Sequence, residues 1–491
     1  MLDICRKIFC EWNDNNIRYC HWKSNEHILD GLQGGTDLDL FILPEDRDRA
    51  SDLLSNLNVI KCKPLKSNDY YNVEEWIGFD EETGKLIHLH VHYALITGRK
   101  FCKEYEFPVE QIAIETRVYD NTYKLYVISP ELELIILFSR ICLKSVNPQK
   151  INFDEYSKEI RYLKDKYNKE DLKTLCSKIG VIDDLATFIN KDSLNISDWK
   201  KVDVIVRNWL APYRRYGQFT SVIRSKYYII RNLSVLFLNK YLKTNINCRK
   251  TIGDTGLIIC FIGQDGSGKS TLTTKICKWL NWKLEATRFY LGSGDHYKSV
   301  FKSVQGSASS KMKNSVNKEK NRKKKGTIRS IIGWLSMMFS SLNLVYISKR
   351  AYKIVRRSKC YVSRGGIALF DRYPQDQYEG VYDGPKVATS YINKGRSNAI
   401  VKYLYKLEKQ YIKRANNINP DLLFKLTLPV EESLRRKPEE DRSNLEIKHK
   451  ITKELVFPKS EVYEIDATQD FAQEELIIKR IIWQKIAQKL Q

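Results

Sequence analysis

Proline and glycine are scarce in this chain, 12 and 23 of 491 residues, which excludes a collagen-like, proline-rich or low-complexity polymer. Cysteine is present eleven times but never as CxxC. With no paired spacing to read as a disulfide or zinc framework, a reducing compartment is expected. The opening stretch MLDICRKIFCEWNDNN has no long apolar segment followed by a small-residue cleavage site, so no secretory signal is read and the cytoplasm is the expected location. Acidic residues are also short, 59 against 83 Lys and Arg, a net charge of +24. What remains is a chain of 42% apolar and 29% charged residues, long enough for two or three folded domains.

The positive charge is concentrated. Between Lys298 and Lys359 stand seventeen Lys or Arg residues and a single acid, Glu319. This basic insertion (298–359) is expected to face phosphate, an anionic membrane surface or a polynucleotide. Its stretch from Lys302 to Gly326 is rich in Ser, Lys and Asn, while Ser330 to Ser348 has no charge at all. The latter approaches a membrane span in length, but Gly333, Ser336, Ser340, Ser341 and Asn343 dilute it. A buried helix comes first, a helix lying on a membrane at the inner face second, a true span last.

Three textures follow one another. Residues 1–128 mix alternating runs such as Leu86-Ile87-His88-Leu89-His90-Val91-His92 with helical spacing, an α+β pattern. Residues 129–250 carry helical periodicity and almost no strand signal, a helical connecting domain. From residue 251 to 491 strands and helices alternate, the pattern of a parallel α/β sheet flanked by helices.

In that last region Gly263-Gln264-Asp265-Gly266-Ser267-Gly268-Lys269-Ser270 fits GxxxxGK[ST]. The glycines let backbone N–H groups surround phosphate oxygens, Lys269 reaches the β and γ phosphates, and the Ser270 hydroxyl suits Mg²⁺. The apolar run Leu257–Ile262 precedes it as a strand. A helix beginning at Thr271 follows, its positive dipole end on the phosphates. A second strand, Ile367-Ala368-Leu369-Phe370, ends in Asp371, expected to hold Mg²⁺, and Arg372, whose guanidinium suits a phosphoryl group. Further on, PDLLFKLTLPVEESLRRKPEEDRSN places a strand before a cluster containing Arg435, Arg436 and Arg442, from which an arginine lid would neutralise transition-state charge.

These pieces, in this order, resemble the thymidylate kinase family of P-loop nucleoside monophosphate kinases: a GxDGxGKST loop through Thr271, Asp371-Arg372-Tyr373, PDLxxxLxxPxEExLRR with a lid, and a closing Tyr463-Glu464-Ile465-Asp466-Ala467 before the helix Phe471–Leu490. The resemblance spans residues 254–491. It implies ATP and Mg²⁺ as cofactors. It assigns Asp265 to the acceptor's sugar, Arg372 to its phosphate and Arg435, Arg436 and Arg442 to the lid, and Arg288, in Thr287-Arg288-Phe289, to a further phosphate contact. After Asp-Arg-Tyr, however, stands Pro374-Gln375-Asp376-Gln377-Tyr378-Glu379-Gly380, which lacks the family's base-reading pattern.

Near the other end, Asp37-Leu38-Asp39-Leu40 sets two carboxylates on one face of a strand. Such a pair can bridge the two metal ions of nucleotidyl transfer. With Trp22-Lys23-Ser24 and Gly34-Gly35-Thr36 upstream, the region is similar to the nucleotidyltransferase superfamily. That superfamily implies a third carboxylate on a later strand. Here His88, His90 and His92 line one face instead, so either imidazole joins Asp37 and Asp39 as metal ligand, with His88 and His90 the candidates, or the domain has lost catalysis.

The sequence therefore points to an ATP- and Mg²⁺-dependent phosphotransferase with nucleotide substrates, dTMP the first acceptor to test. A sugar or glycan acceptor of surface carbohydrate synthesis is the alternative. An ATP-binding, nucleic-acid-binding module without turnover is the rival from another class.

Overall fold

The computed structural model describes residues 1–144, 154–181, 184–242, 244–292, 322–395 and 398–490. Most of the segment Lys302–Gly326, expected to carry basic charge toward a partner, lies outside them. Two compact units emerge, Met1–Gly253 with Leu476–Gln491, and Asp254–Glu475.

The first unit is built on a seven-stranded mixed sheet. Its strands are β1 (Tyr19–His21), β2 (Asp37–Ile42), β3 (Ile60–Cys62), β4 (Val73–Phe79), β5 (Leu86–His92), β8 (Val118–Asp120) and β9 (Leu125–Val127), in the order β3-β4-β5-β2-β1-β9-β8; a separate ribbon pairs β6 (Ile96–Thr97) with β7 (Tyr105–Glu106). Strand β2 runs parallel to β5, and β4 antiparallel to it. Alternation along β2 sends Leu38 and Leu40 into a core with Ile8, Phe9 and Trp12 of the first helix, Asp3–Asp14. The opposite face of β2 carries Asp37 and Asp39.

The helical stretch expected as a separate connecting domain shares a core with this sheet. Helix Pro130–Lys144 buries Leu132, Leu134 to Phe138 and Ile141 to Leu143 in one cluster with Cys20, Trp22 and Phe41 of the sheet and Trp199 of helix Ile196–Leu210. A helix apolar on nearly every side must be covered on every side, so the boundary expected near residue 128 is not one between cores. All eleven cysteines are free.

The second unit is α/β, with a five-stranded, wholly parallel sheet: β10 (Leu257–Gly263), β11 (Ala286–Arg288), β12 (Ile367–Phe370), β13 (Leu422–Thr427) and β14 (Glu461–Asp466), ordered β11-β12-β10-β13-β14. β10 is buried at every residue, as expected of a central parallel strand. The connections leaving β10 and its neighbour β12 run in opposite directions across the sheet, the arrangement in which open parallel sheets form a crevice at their carboxyl ends. Ser330–Ser348 falls inside the helix Arg322–Val362, and no helix among the described residues is long and apolar enough to cross a membrane.

Candidate functional site

At the carboxyl end of β10 the loop Gly263–Gly268 turns into the helix Lys269–Leu280. The turn needs backbone that side chains resist: φ is +86° at Gly266 and +85° at Gly268. The register Leu257↔Ile367 to Cys260↔Phe370 between β10 and β12 delivers Asp371 beside the loop. There the Ser270 hydroxyl donates to Asp371 Oδ2 over 3.0 Å, and Arg288 Nη2 donates to the same oxygen over 2.7 Å. Asp371 Oδ1 and Ser267 Oγ are buried and meet no hydrogen-bond partner among the described residues. Buried polar groups are almost always satisfied, so a carboxylate oxygen and a hydroxyl left over at a P-loop fit a Mg²⁺–phosphate ligand.

Lys269 donates to Gln264 O over 2.7 Å. Burial, with the positive charges of Arg372 and Lys448, pushes its ammonium down to about 8; a triphosphate would supply the missing counter-charge. Asp265 forms an ion pair with Lys448. Burial pushes its carboxyl up, but Lys448 and Lys269 outweigh that and hold it below the usual range. Arg436 donates to Gly266 O over 3.3 Å and Ala467 O over 3.0 Å, with Glu432 2.8 Å from its Nε. The structure thus brings Lys269, Ser270, Asp265, Asp371, Arg288 and Arg436 to the loop, and Arg372 lines the adjoining cavity. It does not bring Arg435, held on the surface by Glu432, or Arg442, held there by Glu431 and Glu446. Arg288 faces Asp371 and Thr274 rather than open space.

Three partners here carry no sequence signal. Gln264 bonds Ser433 and His449, and Lys448 meets Asp265; Lys448 and His449 look like surface residues of a charged helix until the fold returns that helix to the loop. The segment after Asp-Arg-Tyr is also explained. Gln375 spends its amide on Tyr378 O and Val381 O and its carbonyl on the Gln377 and Tyr378 backbones. It shapes its own turn.

The first unit holds a second cluster. Strand register aligns Glu75 of β4, His90 of β5 and Asp39 of β2 in one row across three neighbouring strands. His90 lies 2.8 Å from Glu75 and 3.3 Å from Asp39 Oδ1, the oxygen that His92 Nε2 approaches at 3.5 Å and Lys23 at 2.9 Å. His88 bridges Asp37 over 2.7 Å and Glu75 over 2.5 Å. Of the expected ligands Asp37, Asp39, His88 and His90, the structure converges Asp39 and His90 and adds His92. It sets Asp37 and His88 against one another.

Charges in this cluster are strongly coupled. Burial lowers His90, but Asp39 and Glu75 raise it to about 9. Burial brings His92 down to about 3. Asp39 and Glu75 are both held far below the usual carboxylate range against their burial, Asp39 by Lys23, His90 and His92, Glu75 by His88 and His90. Lys103 is pushed down to about 7 by burial and by the positive charges of Lys23, Arg140 and Lys144.

Loop, helix and strand-end aspartate make the second unit a P-loop α/β domain. Among curated proteins the chain is similar to the uncharacterized ATP-binding proteins YghR and YghS of Escherichia coli K12. The former is 24% identical over 219 residues, 44% of this chain and 82% of its own length; the latter is 27% identical over 216 residues, 43% and 85%. The deoxyadenosine kinase of M. mycoides, solved with bound dCTP, is 13% identical and aligns over 46% of this chain and 98% of its own, with a TM-score of 0.27. No protein-family model matches.

Proposed function

We propose that the second unit is an ATP-dependent phosphotransferase of the thymidylate kinase type. The observation that carries the reading is the unsatisfied Asp371 Oδ1 beside Ser270 and Lys269 at the mouth of a glycine-turned loop. The ATP-binding description of the two relatives supports the nucleotide. Backbone N–H groups of the loop and the end of helix Lys269–Leu280 bind the phosphates, and Lys269 orients and neutralises the outer ones. Ser270 and Asp371 are the residues that would hold Mg²⁺, which when bound supplies charge neutralisation along the phosphate chain. Arg372, beside the cavity lined by Lys269, Tyr373, Tyr382 and Phe457, positions an anionic acceptor, and Arg436 stands at the loop to meet transferred charge.

The acceptor is a nucleoside monophosphate, dTMP the first to test. Gln375, turned inward on its own loop, does not support a base-reading role, which keeps a sugar phosphate or glycan acceptor as the second reading. The first unit's DxD strand does not favour two-metal nucleotidyl transfer, because β5 offers no acid and His88 engages Asp37.

The test is ADP release from ATP and Mg²⁺ against dTMP, other nucleoside monophosphates and sugar phosphates, with Lys269→Ala as control. Lys269-dependent turnover on a nucleotide establishes the reading. Turnover confined to sugar phosphates moves the acceptor. ATP binding with no turnover on any acceptor overturns the kinase and leaves a binding module.

A further inference from the structure

We propose that Asp39, His90 and His92 of the first unit form a mononuclear site for a divalent transition metal such as zinc, distinct from the Mg²⁺ expected at the P-loop. The geometry carries this. Two donor atoms each about 2.1 Å from a common ion, at a tetrahedral angle, lie about 3.4 Å apart. Asp39 Oδ1 stands 3.3 Å from His90 Nδ1 and 3.5 Å from His92 Nε2, and the three donors lie within 4.8 Å of one another. Charge-assisted N–H···O bonds run shorter, about 2.7–2.9 Å, as Lys23 does on the same oxygen at 2.9 Å. His92 is 4% exposed, its Nδ1 meets no hydrogen-bond partner among the described residues, and its ring packs edge-on against Trp22 and His90.

The outer partners agree. A metal-bound imidazole characteristically donates its other ring N–H to a carboxylate, which fixes the tautomer. Buried Glu75 takes that part for His90 at 2.8 Å. His88 stands outside the converging set: its Nε2 is taken by Glu75 at 2.5 Å and its Nδ1 faces Asp37 Oδ1 at 2.7 Å. Two imidazoles and one carboxylate suit zinc, iron or manganese, whereas magnesium takes oxygen. Three protein ligands leave a coordination position open to water or to a further ligand.

The experiment is titration of the purified full chain with Co²⁺, read by visible d–d absorption, and with Zn²⁺, read by calorimetry, after chelator treatment. One equivalent is expected, unaffected by millimolar Mg²⁺ and by Lys269→Ala. It should weaken at least about tenfold in His92→Gln and His90→Gln, whose folding is checked by circular dichroism. Lys23→Met should tighten binding by removing the rival cation from Asp39. Absence of saturable binding, or binding indifferent to both histidine substitutions, overturns the site. So does metal uptake seen only in Lys23→Met, which would make the lysine a built-in replacement for the ion.

A separate observation concerns helix Gln218–Leu242 in the same unit. We infer that it rests on an anionic bilayer. Phe219, Ile230 and Leu242 are 79%, 65% and 62% exposed, and Ile223, Tyr227, Leu233, Phe237 and Tyr241 extend the apolar surface along the helix. No acidic residue occurs from Arg214 to Arg249, where Arg214, Arg215, Arg224, Lys226, Arg231, Lys240, Lys243 and Arg249 stand. A second copy laid on this face would set basic residues against basic residues with no acid to pair them. Exposed apolar side chains would gain nothing from a polynucleotide backbone. An anionic membrane surface answers both features, and the helix lies on it because it is not apolar enough to cross.

Co-sedimentation of the full chain with phosphatidylcholine vesicles, with and without phosphatidylglycerol, tests it. Binding only to the anionic vesicles is expected, falling at least about tenfold when Phe219, Ile230 and Leu233 are all changed to Ser. No vesicle binding, or binding unchanged in that variant, overturns the inference. A wild-type dimer that the variant makes monomeric, without vesicle binding, assigns the face to a second copy instead.

Discussion

The two sites of this chain are assembled in opposite ways. At the P-loop one unbroken run, Gly263–Ser270, supplies backbone donors, the lysine and the hydroxyl, and the fold adds Asp371 from a neighbouring strand. The cluster in the first unit takes one or two side chains from each of three strands, joined only by register: Glu75, His90 and Asp39 in one row, His92 two residues further along β5. A contiguous site survives as a motif because its spacing is fixed by covalent geometry. A register-built site leaves no fixed spacing, since a shift of one residue would turn every participating side chain to the other face.

That contrast can be tested from its strongest point downward. Lys269→Ala should lower phosphoryl transfer by about 10³-fold or more, given the charge neutralised at the transferred group, and leave Co²⁺ absorption intact. A variant that loses both would show the sites to be coupled. Asp371→Asn should cost about 10²-fold and raise the Mg²⁺ concentration needed for half-maximal ADP release. Glu75→Gln, which touches no proposed metal position, should weaken Co²⁺ binding about 10–100-fold through His90; titration of the purified variant reads this. Arg442→Ala, paired only on the surface, should change turnover less than about twofold in the same ADP assay.

The sites should also answer pH with opposite signs in the ligand-free protein. Lys269 has a folded value near 8 against an ordinary 10.5. The unfolded chain therefore binds more protons between those values, and stability rises with pH across that window. Lys269→Met should remove this slope and stabilise the free protein near neutrality by about 1–3 kcal/mol while abolishing transfer. His90 is raised from 6.5 to about 9. Its contribution is complete below pH 6.5 and lost as pH rises through 9. Denaturant melts from pH 6 to 10.5 on wild type, Lys269→Met and His90→Gln separate the two slopes.

Legibility in the sequence followed the same division. The P-loop strand, loop and helix, the strand ending in Asp371 and the strand Leu422–Thr427 are all local patterns, and each appears where periodicity places it. Arg435, Arg436 and Arg442 read alike in a line of text. Only the path of the chain sends Arg436 to Gly266 and leaves the other two paired with glutamates on the surface. Glu75 lies in VEEWIGF with nothing to mark it, because its meaning depends on which residue of β5 stands opposite. The shared core of Pro130–Lys144 with the sheet escaped for a related reason: periodicity gives a helix its apolar face without naming what covers it.

By itself, then, the sequence determined the glycine-turned loop between strand and helix, the parallel α/β order of the second unit, the concentration of basic charge and the pair of acids facing away from the leucines of β2. Each is a matter of residue type at short covalent spacing. The tertiary structure alone decided which arginine reaches the loop, that Gln375 turns inward, and that Asp39 meets His90 and His92 while Asp37 is claimed by His88. Those outcomes depend on strand register and chain return, where residues far apart in sequence come within a few ångströms and local pattern carries no information.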